Sequence, residues 1–462
     1  MQAQLHVKNF GPIKEVNLDL RNVNVFIGPQ ASGKSALAKI YTICKSPLSF
    51  FEYYDPIFNS SNSIDSKKED ANVANFKETL DEYNIRSFLR NDTLIDFDSE
   101  LHHFRYENEN IIYDRKFLER INLLDEKSKD IDLNYDYIKE HLVQFYDSFL
   151  FFQLSLDTVL KEQNFALFDA EEFKEFISKN ILTADQLEAI IDKVKELETK
   201  LSTNKALYIP SERSFIPIIV GATLNLLNNN VPIPKHILQF GAEFEKAKDQ
   251  DVDLNFLKNG LKYKYENGAS IIYFNPDQSI KLTEAASGLQ SVIPLLLPIL
   301  SKRNKSKIEH NSFVIEEPEL NLFPKAQYEL IKILEEGRFD TLFDIQDIGT
   351  IQTYTTHSPY ILSAFNNLLY ADKVKNLIQS KLYDTSKDWG QSTTSAKELI
   401  SKILPTTIDA TKFNAYQISD GSATSIFKSE TGLIDNNFID ESSDEMSDDF
   451  EALMELMQEY EK

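Results

Sequence analysis

Apolar and polar residues alternate at Val16, Leu18 and Leu20 and again at Val23, Val25 and Ile27, the period of two that a strand with one buried face requires. Directly behind the second run, Gly28-Pro-Gln-Ala-Ser-Gly33-Lys34-Ser35 gives way to the helix formers Ala36 to Lys39, so this stretch reads strand, loop, helix. Strand character follows at Thr93 to Phe97 and Leu101 to Tyr113, a hairpin with an Asn/Glu-rich turn at Asn108 to Asn110, and returns at Ala206 to Ile209, Ser312 to Ile315 and Thr350 to Thr356. Leu261 to Tyr265, Ser270 to Phe274 and Ser279 to Leu282 predict a meander turned at Asn267-Gly268 and Asn275-Pro276.

Helical spacing marks Asn75 to Leu89, Tyr135 to Leu160, Ala170 to Ser178, Phe215 to Leu227, His236 to Lys248 and Val292 to Leu300. Another helix opens on the capping box Thr183-x-x-Gln186 and carries Leu187, Ile190, Ile191, Val194, Leu197 and Leu201 on one face. The Phe and Tyr residues dense in 135–178 read as core. Pro47 to Lys68 is turn-rich and reads as an exposed excursion. The order predicts an α/β protein with a mixed sheet and an antiparallel β-subdomain. Residues 1–45 form the first part of a core, 46–203 a β-hairpin and helical or short coiled-coil insertion, 204–439 the second part, and 440–462 an acidic C-terminal helix.

The chain has 462 residues, 42% hydrophobic and 26% charged, enough for two or three domains with a buried core. A formal net charge of −24 argues against a body that coats nucleic acid, although a local basic groove stays open. One cysteine, Cys44, excludes an internal disulfide framework, and seven scattered histidines without cysteines form no zinc pattern. No apolar run approaches the roughly 20 residues of a spanning helix, and the N-terminus begins a strand in place of a signal sequence. A cytoplasmic protein without membrane contact is expected.

The loop after Ile27 carries the chemistry. In the spacing G-x-x-x-x-G-K-S, backbone N–H groups of Gly28, Pro29–Ser32 and Gly33 surround phosphate oxygens at a helix N-terminus, with proline alone lacking a donor. Pro29, Gln30, Ala31 and Ser32 form the rim of that loop. Lys34 reaches the β/γ-phosphates and the Ser35 hydroxyl ligates Mg²⁺. Ser287-Gly288, ahead of an apolar helix, offers further N–H groups and a hydroxyl that suit a γ-phosphate, although alone such a pair is an ordinary N-cap. The strand Ser312 to Ile315 ends in Glu316-Glu317-Pro318-Glu319. Carboxylates at the carboxyl end of a buried strand suit metal binding by Glu316 and orientation or deprotonation of water by Glu317. A further strand ends at His357-Ser358-Pro359, where a histidine can bond the γ-phosphate and report its loss.

This order resembles an ABC-type ATPase head of the kind in Rad50, SMC and RecF proteins, and above all the AAA15/OLD-like ATPases of prokaryotic defence and repair loci. The segments that carry the likeness are GPQASGKS, YIPSER, ASGLQS, VIEEPELNLFP, TTHSP and AYQISDGSATSIFKSETGLI, over residues 1–44 and 206–439. The resemblance implies a P-loop NTPase fold and ATP with Mg²⁺ held between two heads. Gly28 to Ser35 of one copy would face Ser287 and Gly288 of the other, with Glu317 as hydrolytic base, Glu316 as metal-associated acid and His357 as switch histidine. Departures from the family pattern are Leu289 for the second signature glycine, Glu316 for an aspartate, Phe323 for a histidine, and no glutamine after Tyr208-Ile-Pro210, where Glu212 or Arg213 is the candidate substitute. Lys8 and Phe10 lie in the region where adenine would be contacted.

The expected function is an ATP-driven switch, homodimeric or a higher assembly of dimers, that controls a separate effector such as a nuclease, with DNA or a phage protein as trigger. The 105 or so residues after His357 are too few for closing strand-helix units plus a nuclease domain. The acidic pairs Asp130-x-Asp132 and Asp251-x-Asp253 follow no apolar strand. The alternatives are a RecF/Rad50-like repair ATPase that clamps DNA and a nucleotide-gated scaffold with little hydrolysis.

Overall fold

The alternation in the first twenty residues builds two antiparallel strands, β1 (Ala3–Phe10) and β2 (Ile13–Leu20), whose Leu5, Val7, Val16 and Leu18 are buried on one side. β3 (Val23–Ile27) leads through the glycine loop into α1 (Lys34–Lys45). After α2 (Ser66–Glu82), the strands β4 (Leu94–Ser99), β5 (His102–Glu107) and β6 (Asn110–Arg115) add to β1, giving an antiparallel sheet of order β2-β1-β4-β5-β6. Asn108 and Glu109, both at positive φ, make the two-residue turn between β5 and β6. β4, β5 and β6 are thus continuous with the N-terminal strands. The computed structural model describes residues 3–46, 66–99, 102–115, 205–303, 312–336, 351–382 and 406–435, with 450, 451, 453 and 454 near the C-terminus. The helices expected over 135–160, 170–178 and 183–201, and most of the acidic tail, lie outside the described residues.

The second part of the chain starts with β7 (Ala206–Ile209), α3 (Ile216–Asn228) and α4 (Lys235–Ala247). Next come β8 (Val252–Asp253), β9 (Lys262–Glu266), β10 (Ala269–Asn275) and β11 (Gln278–Lys281), a small antiparallel sheet where the meander was expected. Asp251 and Asp253 pair there with Lys264 and Lys262 at 3.0 and 3.2 Å, so this acidic pair is neutralised by its own sheet. Then follow α5 (Ser287–Arg303), β12 (Ser312–Glu316), α6 (Pro324–Glu335), β13 (Ile351–Thr356), α7 (Pro359–Leu382), β14 (Phe413–Ser419) and β15 (Ser422–Ser425).

Six strands in the order β15-β14-β3-β13-β12-β7 form the central sheet, parallel throughout except for the edge strand β15. Every residue of β3, β7, β12 and β13 is buried, as a parallel sheet covered on both faces demands. The period of two sorts them. Val23, Val25, Ile27, Leu207, Ile209, Phe313 and Ile315 enter the core beneath α4, α5, α6 and α7, while Phe26, Tyr208, Val314, Tyr416 and Ile418 enter the core shared with α1 and the antiparallel sheet. The two sheets are tied where the Gly421 carbonyl accepts from Lys14 and Glu15 N–H at 2.8 and 3.1 Å. Among the described residues no helix is long and apolar enough to cross a membrane.

Candidate functional site

Register alone brings three expected segments together. In the pairing of β13 with β3, Thr356 stands beside Ile27, and in that of β12 with β13, Glu316 stands beside Thr355. The residues that follow, Gly28, His357 and Glu317, therefore leave the carboxyl edge of three adjacent parallel strands, where α/β sheets hold their ligands. The His357 Nε2 is 3.7 Å from Glu317 Oε1, with both side chains about a third exposed. Burial, and then the Lys34 charge, hold the His357 imidazole below its ordinary pKa against the opposing pull of Glu317 and the Gly28 carbonyl. That environment favours the neutral imidazole, whose ring N–H can donate to a nucleotide oxygen.

The phosphate loop follows the expected path. A Cβ on Gly28 would lie 2.1 Å from the Ile418 carbonyl oxygen, because β14 runs directly alongside. Gly33, at φ 106°, caps α1 without any side-chain hydrogen bond to the helix N-terminus, so the N–H groups there keep their donor capacity for an anion. Pro29, Gln30, Ala31 and Ser35 are exposed, Ser32 half-buried, and Gly28, Gly33 and Lys34 buried. The Lys34 ammonium donates to the Gly28 and Pro29 carbonyls, both at 2.8 Å, and reaches Ser32 Oγ at 3.4 Å. Burial brings Lys34 down to about 8, opposed by the carboxylates of Glu317, Glu316 and Glu319.

Glu316 is 4% exposed, and its Oε1 is buried without a hydrogen-bond partner. A carboxylate oxygen left open in that way, with the Ser35 hydroxyl on the loop, is a hard-oxygen donor set that fits Mg²⁺ once phosphate oxygens complete it. Among the described residues no three His, Cys, Asp or Glu side chains gather to hold a metal by themselves. Beside Glu316 lies Tyr208, whose phenol is held well above its ordinary pKa by burial and then by that carboxylate.

Glu317 takes the left-handed region, φ 42°. Its N–H donates to the Thr355 carbonyl at 2.8 Å, and its carbonyl accepts from Arg213 Nη2 at 2.6 Å. Two residues on, the Glu319 carboxylate accepts from the His357 N–H at 2.8 Å and the Thr356 hydroxyl at 2.7 Å, binding the histidine strand to the acidic turn. Burial raises the Glu319 carboxyl above the usual range, and those two bonds oppose it. Sequence reasoning missed this brace. The only signal for it was a third glutamate within the turn.

Arg213 departs from expectation more sharply. As a substitute for the absent glutamine it would face nucleotide, but it is fully buried and its guanidinium donates to four backbone carbonyls, those of Pro210, Ser291, Glu316 and Glu317. Glu212 is exposed and accepts from Ser211. Phe10 also leaves the adenine candidates, being fully buried against Phe88 at 5.6 Å. Lys8 lies 3.7 Å from Glu15 on the surface.

Ser287 is the exposed first residue of α5, and Gly288 follows half-buried. A Cβ at Gly288 would come 2.8 Å from the Asn321 carbonyl oxygen, so glycine lets the turn after the acidic strand pack on the helix start. Leu289, which replaces a glycine of the family pattern, is 8% exposed and points into the core.

Fold and loop together define a P-loop nucleotide-binding protein. Residues 1–362 match AAA_15, the AAA ATPase domain, and the chain belongs to that family. Among solved structures it is similar to the SMC head domain from Thermotoga maritima, at 13% identity and a TM-score of 0.33 over 79% of this chain and 91% of that one. An SMC head bound to the C-winged helix domain of ScpA gives 8% identity and a TM-score of 0.34 over 94% and 99% of the two chains. The recombination mediator RecF with ATPrS, of the RecFOR pathway, gives 11% and 0.28 over 92% and 98%. No curated protein sequence matches significantly.

Proposed function

We propose that the protein is a Mg²⁺-dependent ATPase whose site is completed by a second copy of the chain and whose ATP cycle switches a separate effector. The observation that carries this reading is the meeting of Gly28, His357 and Glu317 at one sheet edge, with Lys34 on the loop beside them. Backbone N–H groups from Gly28 to Ser35 and the Lys34 ammonium bind the phosphates. Ser35 and Glu316 hold Mg²⁺, which supplies neutralisation of the β- and γ-phosphate charge. Glu317 orients the attacking water and takes its proton, and His357, beside it, bonds the γ-phosphate. Ser287 and Gly288 of the second copy close on the same phosphate through the N-terminus of α5.

The exposure of Ser287 supports the two-copy arrangement. The net charge of −24 supports a switch acting on a protein effector, such as a nuclease in anti-phage defence, over a clamp that closes on DNA. Phosphate release by wild type and Glu317→Gln, with protein mass measured in ATP, tests the enzyme and the assembly together. Glu317-dependent release and an ATP-stabilised dimer are expected. Equal, near-zero rates would reduce the protein to a nucleotide-gated scaffold, and salt-dependent, ATP-stimulated DNA binding would favour the repair clamp.

A further inference from the structure

The four carbonyls around Arg213 belong to three different elements. Pro210 closes β7, Glu316 and Glu317 form the turn that leaves β12, and Ser291 lies one helical turn below Ser287 on α5. The distances are 3.1 Å from Nη1 to Pro210, 2.5 Å from Nη1 to Glu316, 2.6 Å from Nη2 to Glu317 and 3.1 Å from Nε to Ser291. Guanidinium is suited to this because its donors project in one rigid plane. Every bonded partner is main chain, so what the arginine fixes is the direction of the backbone.

That matters most at Glu317. A glutamate at φ 42° persists only where its surroundings hold it there, and the main chain of Glu317 is held by three bonds: its N–H donates to the Thr355 carbonyl, and its carbonyl accepts from the Leu320 N–H and from Arg213, the one of the three that comes from a distant element through a side chain. The same turn reaches α5 again through Asn321, whose amide donates to Ser291 Oγ at 3.1 Å. Ser291 thus accepts from Arg213 through its carbonyl and from the acidic turn through its hydroxyl. Burial brings Arg213 down to about 10 against the raising effect of Glu319, Glu316, Glu317 and Glu212, which leaves it charged at neutral pH.

We infer that Arg213 is a positioning residue for hydrolysis: it ties the Ser287–Gly288 end of α5 to the turn that aims Glu317, so that closure on the nucleotide of one copy is felt at the carboxylate of the other. The inference rests on the two-copy ATPase reading above and adds a route between the two sites. Nucleotide contact is no part of the role, since the guanidinium is fully buried and four of its five N–H donors are on carbonyls. Loss of Arg213 is therefore expected to change turnover and spare affinity.

The test uses the full chain with Arg213→Met and Arg213→Lys, reading kcat and KM for ATP together with amide hydrogen exchange of nucleotide-free protein. Arg213→Met is expected to lower kcat about 30- to 100-fold, the scale of a misplaced catalytic group, with KM changed less than about threefold. Exchange should quicken in peptides spanning 287–295 and 312–323 and stay unchanged in those spanning 23–45. Arg213→Lys, which keeps a donor but not the fork, should recover part of both readouts. An unchanged kcat, or exchange that quickens across the whole chain together with a rise in KM, would overturn the inference. If wild type shows no Glu317-dependent hydrolysis, the ATPase reading fails by itself. The exchange data then decide alone: paired quickening of the two peptides supports the tie, and a change in only one or neither refutes it.

Discussion

The phosphate loop and the acidic turn flank the histidine strand at one sheet edge and are built in opposite ways. In the loop, the charged group that nucleotide needs is bonded to the loop's own carbonyls, with Lys34 on Gly28 and Pro29, and residues 29–31 are exposed. Those bonds are exchangeable for phosphate oxygens without moving a strand. In the acidic turn, Glu317 is fixed through main chain by Thr355 and Arg213, and the Glu319 carboxylate accepts from the His357 N–H. The adaptable half is suited to capture and the rigid half to aiming water, which is the division that electrostatic preorganisation asks of a hydrolytic site.

The comparison is broken most strongly at Glu317. Glu317→Gln is expected to lower phosphate release by about a hundred- to ten-thousand-fold, the range for a lost general base, with ATP affinity retained; a rate within tenfold of wild type would place the base elsewhere. Next is Gly28→Ala, whose Cβ has no room beside the Ile418 carbonyl. It should destabilise the fold by about 3 kcal/mol as overpacking does, seen in denaturant midpoints. Lys34→Met sharpens the contrast, because it should weaken ATP binding about 10- to 100-fold, the worth of charge-assisted bonds. The fold should be unharmed, since a buried charge is removed.

The smallest effect is a control at the far end of α5, where Lys302 meets Glu243 at 2.6 Å in an ordinary ion pair. Burial would raise the Glu243 carboxyl, but the bonds from Lys246 and Lys302 outweigh it and bring it down to about 2. A carboxyl depressed in the folded state adds stability that is present above the unfolded value of about 4.3 and is lost as pH falls toward 2. Glu243→Gln should thus cost about 1–2 kcal/mol at pH 7, and the gap from wild type should close below pH 4. A gap that persists at pH 2 would mean packing, and not charge, holds that end.

Much of this was legible because local chemistry and period agree. Val23 to Ile27 followed by two glycines and Lys34-Ser35, and Ser312 to Ile315 followed by two glutamates, each announce a strand and what stands at its end. The neighbourhood of β3, β13 and β12 was not legible from spacing, since strand order is set by packing of both sheet faces. Strand β13 illustrates why: Gln352, Thr353, Thr355 and Thr356 are fully or almost fully buried, satisfied by bonds such as Gln352 to the Leu334 carbonyl, and no hydropathy pattern signals that. Arg213 was hidden for a related reason, because a charged residue inside a turn motif reads as a surface or ligand contact until its backbone partners are seen.

The claim on which the account turns is that each site takes its loop from one copy and its serine-glycine turn from another. Lys34→Met and Ser287→Arg, assayed at an ATP concentration at which each alone releases little phosphate, can be mixed: in a heterodimer one site then combines the intact loop of the second variant with the intact turn of the first. Random exchange of subunits predicts recovery of about a quarter of wild-type phosphate release. A mixture as inactive as its parents, with subunit exchange verified by mass, would contradict the shared site.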